Sequence, residues 1–157
     1  MGWKVWPSGS KKSEPKKSKA AVSEALTGFL LLIYLLLGLL LVLTPAIGND
    51  ALTYHLGAPK LYLKHHGFYF IPGTLCSNYP LNNEMLYIIG VFLGGDIAAK
   101  GIHFAMAVFI LMGMYQFTRR LVPGAQFILL PLVVFFSIPS VFVNAHMAYS
   151  DLTFTFY

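Results

Sequence analysis

From Ala25 to Thr44 the chain runs for about 20 residues without a charged side chain, and leucine fills roughly half of that stretch. As a helix it reaches about 30 Å, the thickness of a bilayer's hydrocarbon core. A segment this long and uniformly apolar reads as a transmembrane helix before any other feature is weighed. It is also longer than the core of a signal peptide, and Pro45 makes Thr44-Pro45-Ala46-Ile47-Gly48 a weak cleavage site, so we expect an uncleaved anchor.

Composition supports a membrane chain. Hydrophobic residues make up 57% and charged residues 11%, against about a quarter charged in soluble domains. Lys4, Lys11, Lys12, Lys16, Lys17 and Lys19 place over half of the Lys and Arg before residue 20. The formal charge of +5 therefore describes a basic tail on a nearly neutral body. Anionic lipid headgroups suit such a tail better than nucleic acid does. We expect residues 1–23 to be a disordered cytoplasmic tail, because lysine bias marks the inner side and the segment lacks apolar surface to offset ordering. Cys76, the single cysteine, has no partner for an intramolecular disulfide.

The remaining body, 24–157, reads as all-α and polytopic, with three full transmembrane helices and the start of a fourth. The first span, 25–44, runs outward and ends at Pro45 and Gly48. A first external loop, 45–97, contains interfacial helices. One covers about 50–64, interrupted near Gly57 and Pro59; Leu52 and Leu56 share one face, and Asp50 and Tyr54 share another. A second, 83–95, interfacial or re-entrant, is too short to cross and ends at Gly94-Gly95-Asp96. The second span, 98–117, returns to Arg119-Arg120 on the cytoplasmic side. The third, 125–143, runs outward with Pro131 and Pro139 tolerated as kinks. Residues 144–151 regain the outer surface. A last apolar helix opens at Leu152 and reaches only Tyr157, so we expect a fragment of a longer protein, inactive alone.

That topology sets Asp50 and Asp151 on the same outer face. An acid at a membrane boundary needs a cavity or a partner, or else caps a helix N-terminus. Both readings stay open for each, and for Glu84, which opens an apolar helix. His65-His66 are adjacent and point about 100° apart on a helix, which favours a solvated pair over a metal site. His103 and His146 read as packed or hydrogen-bonded, and Tyr62, Phe68, Tyr69 and Phe70 as an interfacial belt.

Asn49-Asp50-Ala51-Leu52-Thr53-Tyr54-His55-Leu56-Gly57-Ala58-Pro59-Lys60-Leu61-Tyr62, directly after a first span, resembles the first-loop signature of the polytopic C-type glycosyltransferases. In particular it resembles bacterial relatives of protein O-mannosyltransferases (glycosyltransferase family 39-like) and of lipid A aminoarabinose transferases. Asn78-Tyr79-Pro80, Glu84-Met85-Leu86-Tyr87, Gly94-Gly95-Asp96, Arg119-Arg120 and Ala148-Tyr149-Ser150-Asp151 fall in the same order as in that group. The resemblance implies a transferase moving a sugar from a polyprenyl-phosphate donor to an acceptor at the outer face. Asp50 inherits the catalytic position, as general base or metal ligand. Tyr54, Lys60, Glu84 and Asp151 become substrate-binding candidates, and Asp50 with Glu84 would hold a divalent metal if one is used. Many members carry two adjacent acids, whereas Asp50 here stands between Asn49 and Ala51. Two other classes remain, a transporter or channel subunit with Asp50, Glu84 and Asp151 along its path, and a non-catalytic membrane scaffold. Acids gathered at one face, with none at mid-depth of a span, weigh against transport.

Overall fold

The computed structural model describes residues 14–79, 81–123 and 127–157, which are helical with no strand. The first helix, α1, is Glu14–Val42. It begins well before Ala25, so residues 14–23, expected to be disordered, form its opening turns; the tail at 1–13 lies outside the described residues. Lys, Ala and Glu are good helix formers, and they extend a helix that the apolar run has already nucleated. The helix closes with Thr44 donating through its hydroxyl to the Leu41 carbonyl at 2.6 Å. Pro45, which follows, has no amide proton to continue it.

Two helices are long and apolar enough to cross a membrane, Lys19–Val42 within α1 and Asn82–Leu121. Little of α1 is covered: Leu26, Leu36 and Leu40 are 59%, 51% and 61% exposed. Apolar surface on that scale calls for lipid or protein against it.

Between these helices come a π-helical turn at Ala51–His55, the helix α2 at Gly57–His65 and a 3₁₀ turn at Leu75–Asn78. The interruption expected near Gly57 is present. Leu52 and Leu56 do not share a face, however: Leu56 is fully buried and Leu52 is 49% exposed. The cause is the wider turn, in which the Leu56 amide donates to Ala51 at 2.9 Å and the four-residue repeat is lost.

The long helix α3, Asn82–Leu121, is bent back on itself at Gly94 and Gly95, where Gly95 has φ +69. Glycine takes that left-handed conformation at no steric cost. Tyr87 and His103 would sit about 24 Å apart on a straight helix, yet the Tyr87 hydroxyl lies 2.8 Å from His103 Nδ1. Residues 82–93 and 96–121 thus form a helical hairpin, divided where the sequence places the break. Its arms touch at Gly90, where an added Cβ would stand 2.7 Å from Ala99 Cα. The long arm descends beside α1: Lys100 reaches the carbonyls of Leu41 and Thr44, and Phe104 packs on Gly38.

The expected third span is not one kinked helix. It divides into α4, Leu130–Ser137, and α5, Pro139–His146, with Ile138 extended between them. Pro139 is the cause, since it pushes the residue before it out of the helical region. Pro131 lies in the first turn of α4, where a missing amide proton costs nothing, and Ala125 lies outside the described residues. The two pieces follow α1 upward, from the Leu129 amide on the Glu24 carboxylate at 3.0 Å to Phe142 on Tyr34. Val42, Phe104, Leu111, Leu132 and Phe136 form the core between these helices. The chain then turns into α6, Asp151–Phe156, packed on α3.

Candidate functional site

The site gathers at the end of α1 marked by Val42, where the loop, the hairpin and the start of α6 meet. A buried pair holds it together. His55 Nδ1, at the last position of the π-helical turn, bonds with the Glu84 carboxylate from the first turn of α3. The two residues are 4% and 3% exposed. This contact ties the loop after α1 to the hairpin and gives Glu84 a partner other than its own helix end. π-turns of this kind recur at functional sites because they redirect side chains within a helix.

Next to that pair, the Tyr149 carbonyl accepts from three donors: the Asn83 amide at 3.1 Å, the Tyr87 hydroxyl and the His103 ring. A carbonyl only accepts, so His103 carries its proton on Nδ1. Tyr149 also sets its ring edge-on to His55, with centroids 5.8 Å apart. The segment before Asp151 is thereby locked onto both arms of the hairpin. Lys100, 1% exposed, donates to Leu41 and Thr44 at 3.0 and 2.9 Å. A cation on the last carbonyls of a helix is favourable, and here it fixes where α1 stops and the loop to Asp50 begins.

Asp50 and Asp151 are exposed, and the carboxylate of neither caps a helix. Asp50 nonetheless stands at the N-cap position of its turn and Asp151 in the first turn of α6, where the helix dipole favours an acid. Tyr54 follows Asp50 by four residues on the same turn. Its hydroxyl is held above the usual tyrosine range, by partial burial first and then by the negative fields of Asp50, Cys76, Glu84 and Asp151. The phenol therefore keeps its proton at neutral pH and can donate.

Comparison with protein-family models, curated proteins and solved structures gives no match. The geometry alone ranks the candidates.

Asp50 and Tyr54 belong to the π-helical turn that the His55–Glu84 bond ties to α3, and Asp151 opens α6 directly after the Tyr149 segment held on the hairpin. Lys60 does not join them: its ammonium pairs with Asp96 at 2.7 Å beside the hairpin bend. Among the described residues no three His, Cys, Asp or Glu side chains are placed to hold a metal ion. Asp50 and Glu84 make a poor pair of ligands, since Glu84 is committed to His55 and Asp50 faces outward. His65 stacks on Tyr69 with centroids 4.2 Å apart, and His66 ends α2 in a left-handed conformation. Neither reaches the acids through a described contact. Pro80, part of one quoted motif, lies outside the described residues.

His55, Asn83, Tyr87, Lys100 and Tyr149 carry the site's framework without having been singled out from the sequence. His55, Tyr87 and Tyr149 stood inside the quoted motifs without a role of their own, and Lys100 carried a separate signal. Lys100 is a lysine inside an apolar helix, and such a residue requires a partner.

Proposed function

We propose that this chain belongs to a polytopic membrane glycosyltransferase that moves a sugar from a polyprenyl-phosphate donor to an acceptor at the outer membrane face. The observation that carries the reading is that Asp50 stands exposed at the start of the turn whose His55 is tied to Glu84 by a buried bond, so that the loop after α1 is held against the hairpin. A sugar or protein hydroxyl is a poor nucleophile until a positioned base takes its proton. Asp50 fills that role. The acceptor oxygen attacks the anomeric carbon as its proton passes to the carboxylate. The bond from that carbon to the phosphate oxygen breaks, and polyprenyl phosphate leaves with the electron pair. Tyr54 donates a hydrogen bond to the substrate, Asp151 orients its hydroxyls, and Glu84 acts through His55 to fix the loop. No step is routed through a metal.

The membrane arrangement belongs to the same proposal. α1 crosses outward from a cytoplasmic basic tail, residues 96–121 return to Arg119-Arg120 inside, and α4 with α5 make a third, broken crossing alongside α1. The register of Leu129 on Glu24 and Phe142 on Tyr34 supports that crossing. Non-helical backbone at Ile138 is tolerable in a membrane because its polar groups stay paired, the amide donating to Phe135 at 3.3 Å and the carbonyl accepting from Phe142 at 3.0 Å. Single-cysteine labelling in a Cys76→Ser background tests the arrangement. Position 66 should label from outside, and labelling of position 122 from outside would remove the second crossing.

Transfer from a panel of radiolabelled polyprenyl-phosphate sugars, by the whole protein in liposomes, tests the activity. Label should move to an acceptor from at least one donor. Absence of transfer from every donor, with the protein folded and inserted, would overturn the reading.

A further inference from the structure

Toward its Arg119-Arg120 end the bundle carries an open apolar groove of about 390 Å³, walled by Leu31 and Leu35 of α1, Val108 and Met112 of α3 and Leu132 of α4. Tyr115 and Gln116 close the groove on the arginine side, and the same two residues open a second hollow, of about 280 Å³, whose other walls are Arg119 and Arg120. The two hollows are thus one continuous surface, apolar first and cationic last. Residue spacing builds it. Val108, Met112, Tyr115 and Arg119 recur at steps of four, three and four residues, which lays them along one stripe of the helix. From Val108 to Arg119 that stripe is about 16 Å long, the depth of one leaflet in a hydrocarbon core of about 30 Å.

The arginines distinguish this surface from the apolar faces around it. Both are exposed, and the ion pairs among the described residues, His55 with Glu84 and Lys60 with Asp96, use neither. Glu24, at the same end of the bundle, gives its carboxylate to the Leu129 amide at 3.0 Å. The Arg119 guanidinium lies over the Tyr115 ring, 5.7 Å from its centroid, which holds a fork of donors at the mouth of the groove. Cations in the last turn of a helix are favourable in any case, but the helix dipole does not call for an apolar groove that ends against them. An apolar chain joined to an anion answers both halves of the surface at once. We infer that this is a binding site for an anionic phospholipid: one acyl chain lies in the groove against Leu31, Met112 and Leu132, and the phosphodiester accepts from Arg119, Arg120 and the Gln116 amide. A second protein helix suits the place less well, since it would have to bring an acid to two arginines at the membrane boundary. That the lipid belongs to the cytoplasmic leaflet rests on the membrane arrangement proposed above; the groove and its arginines do not depend on it.

The test is native mass spectrometry of the full chain in detergent with equimolar dioleoyl phosphatidylglycerol and dioleoyl phosphatidylcholine, which share their chains and differ in net charge. Phosphatidylglycerol should be retained about tenfold more strongly, and Arg119→Gln and Arg120→Gln should each reduce that preference about three- to fivefold, the worth of one basic residue at an anionic headgroup. Arg119→Lys should keep most of it. The lysine-rich tail is the same in every variant, so its own attraction for anionic lipid cancels from these differences. Met112 is 52% exposed, so Met112→Trp fills the groove at little cost to the fold and should lower retention of both lipids. Equal retention of the two lipids by the unaltered chain, or a preference unchanged when both arginines are replaced by Gln, would overturn the inference. So would cross-linking of Met112→Cys between two copies, in a Cys76→Ser background, with phosphatidylglycerol excluded, because the groove would then belong to a second copy. Failure of the membrane arrangement is read separately, as labelling of position 122 from outside, which leaves the retention measurements as they stand.

Discussion

The middle of the bundle and its Asp50 end are built on different principles. Around Leu111, Leu132 and Phe136 the helices meet through apolar side chains, and contacts of that kind tolerate exchange for others of similar volume. At the other end His55 meets Glu84, three donors share the Tyr149 carbonyl, and Lys100 closes α1. Directional bonds of this sort admit one arrangement, and a missing partner leaves a buried group unpaired. Lipid tails are as apolar as leucine, so in a membrane apolar contact alone specifies little. The difference teaches that the apolar middle gives the chain its setting, while the polar end fixes one geometry, and that is where chemistry can be held.

Substitutions can break this contrast. The largest stability effect is expected for Glu84→Leu, which buries His55 without its partner and should cost about 3 kcal/mol in thermal unfolding of the full chain in detergent. Glu84→Gln retains a hydrogen-bonding side chain and should lose far less. Gly90→Ala comes next. Its methyl would meet Ala99 backbone atoms at 2.7 and 2.8 Å, so the hairpin arms must separate, at about 2 kcal/mol. A loss below about 0.5 kcal/mol would show the arms free to slide.

Two lysines sharpen the comparison at the lower end. Lys100→Met strips the α1 carbonyls of a buried donor and should cost about 1 to 2 kcal/mol. Lys60→Met breaks a pair whose side chains are 46% and 28% exposed, and should cost under about 1 kcal/mol. Equal losses for both would mean that burial does not set the value of these bonds.

The sequence made the helical class and the hairpin bend legible. Gly94-Gly95 interrupts an apolar run too long for one unbroken reading, and the run before it is too short to cross. The early start of α1 was hidden because the lysine-rich composition of 14–23 resembles that of disordered tails, while the helix behind it supplies the nucleus. Ile138 was hidden because proline in a membrane segment permits either a kink or a break, and packing decides between them. At the site, Asp50, Glu84 and Asp151 stood out as acids at apolar boundaries, and Tyr54 came only from the resemblance. The pairing of His55 with Glu84 links residues 29 positions apart, and no local pattern encodes it. The Tyr149 carbonyl left still less trace, since a backbone group carries no residue-type signal.

The central claim, that Asp50 takes the acceptor's proton, is tested most directly by turnover of Asp50→Asn in the whole protein at saturating donor, with its level in the membrane fraction checked. General base assistance is worth about 10² to 10⁴ in rate, and asparagine keeps the volume while losing the basicity. Turnover should fall by that factor, with smaller losses for Glu84→Gln and Asp151→Asn. Turnover near that of the unaltered protein would contradict the claim and remove Asp50 from the chemistry.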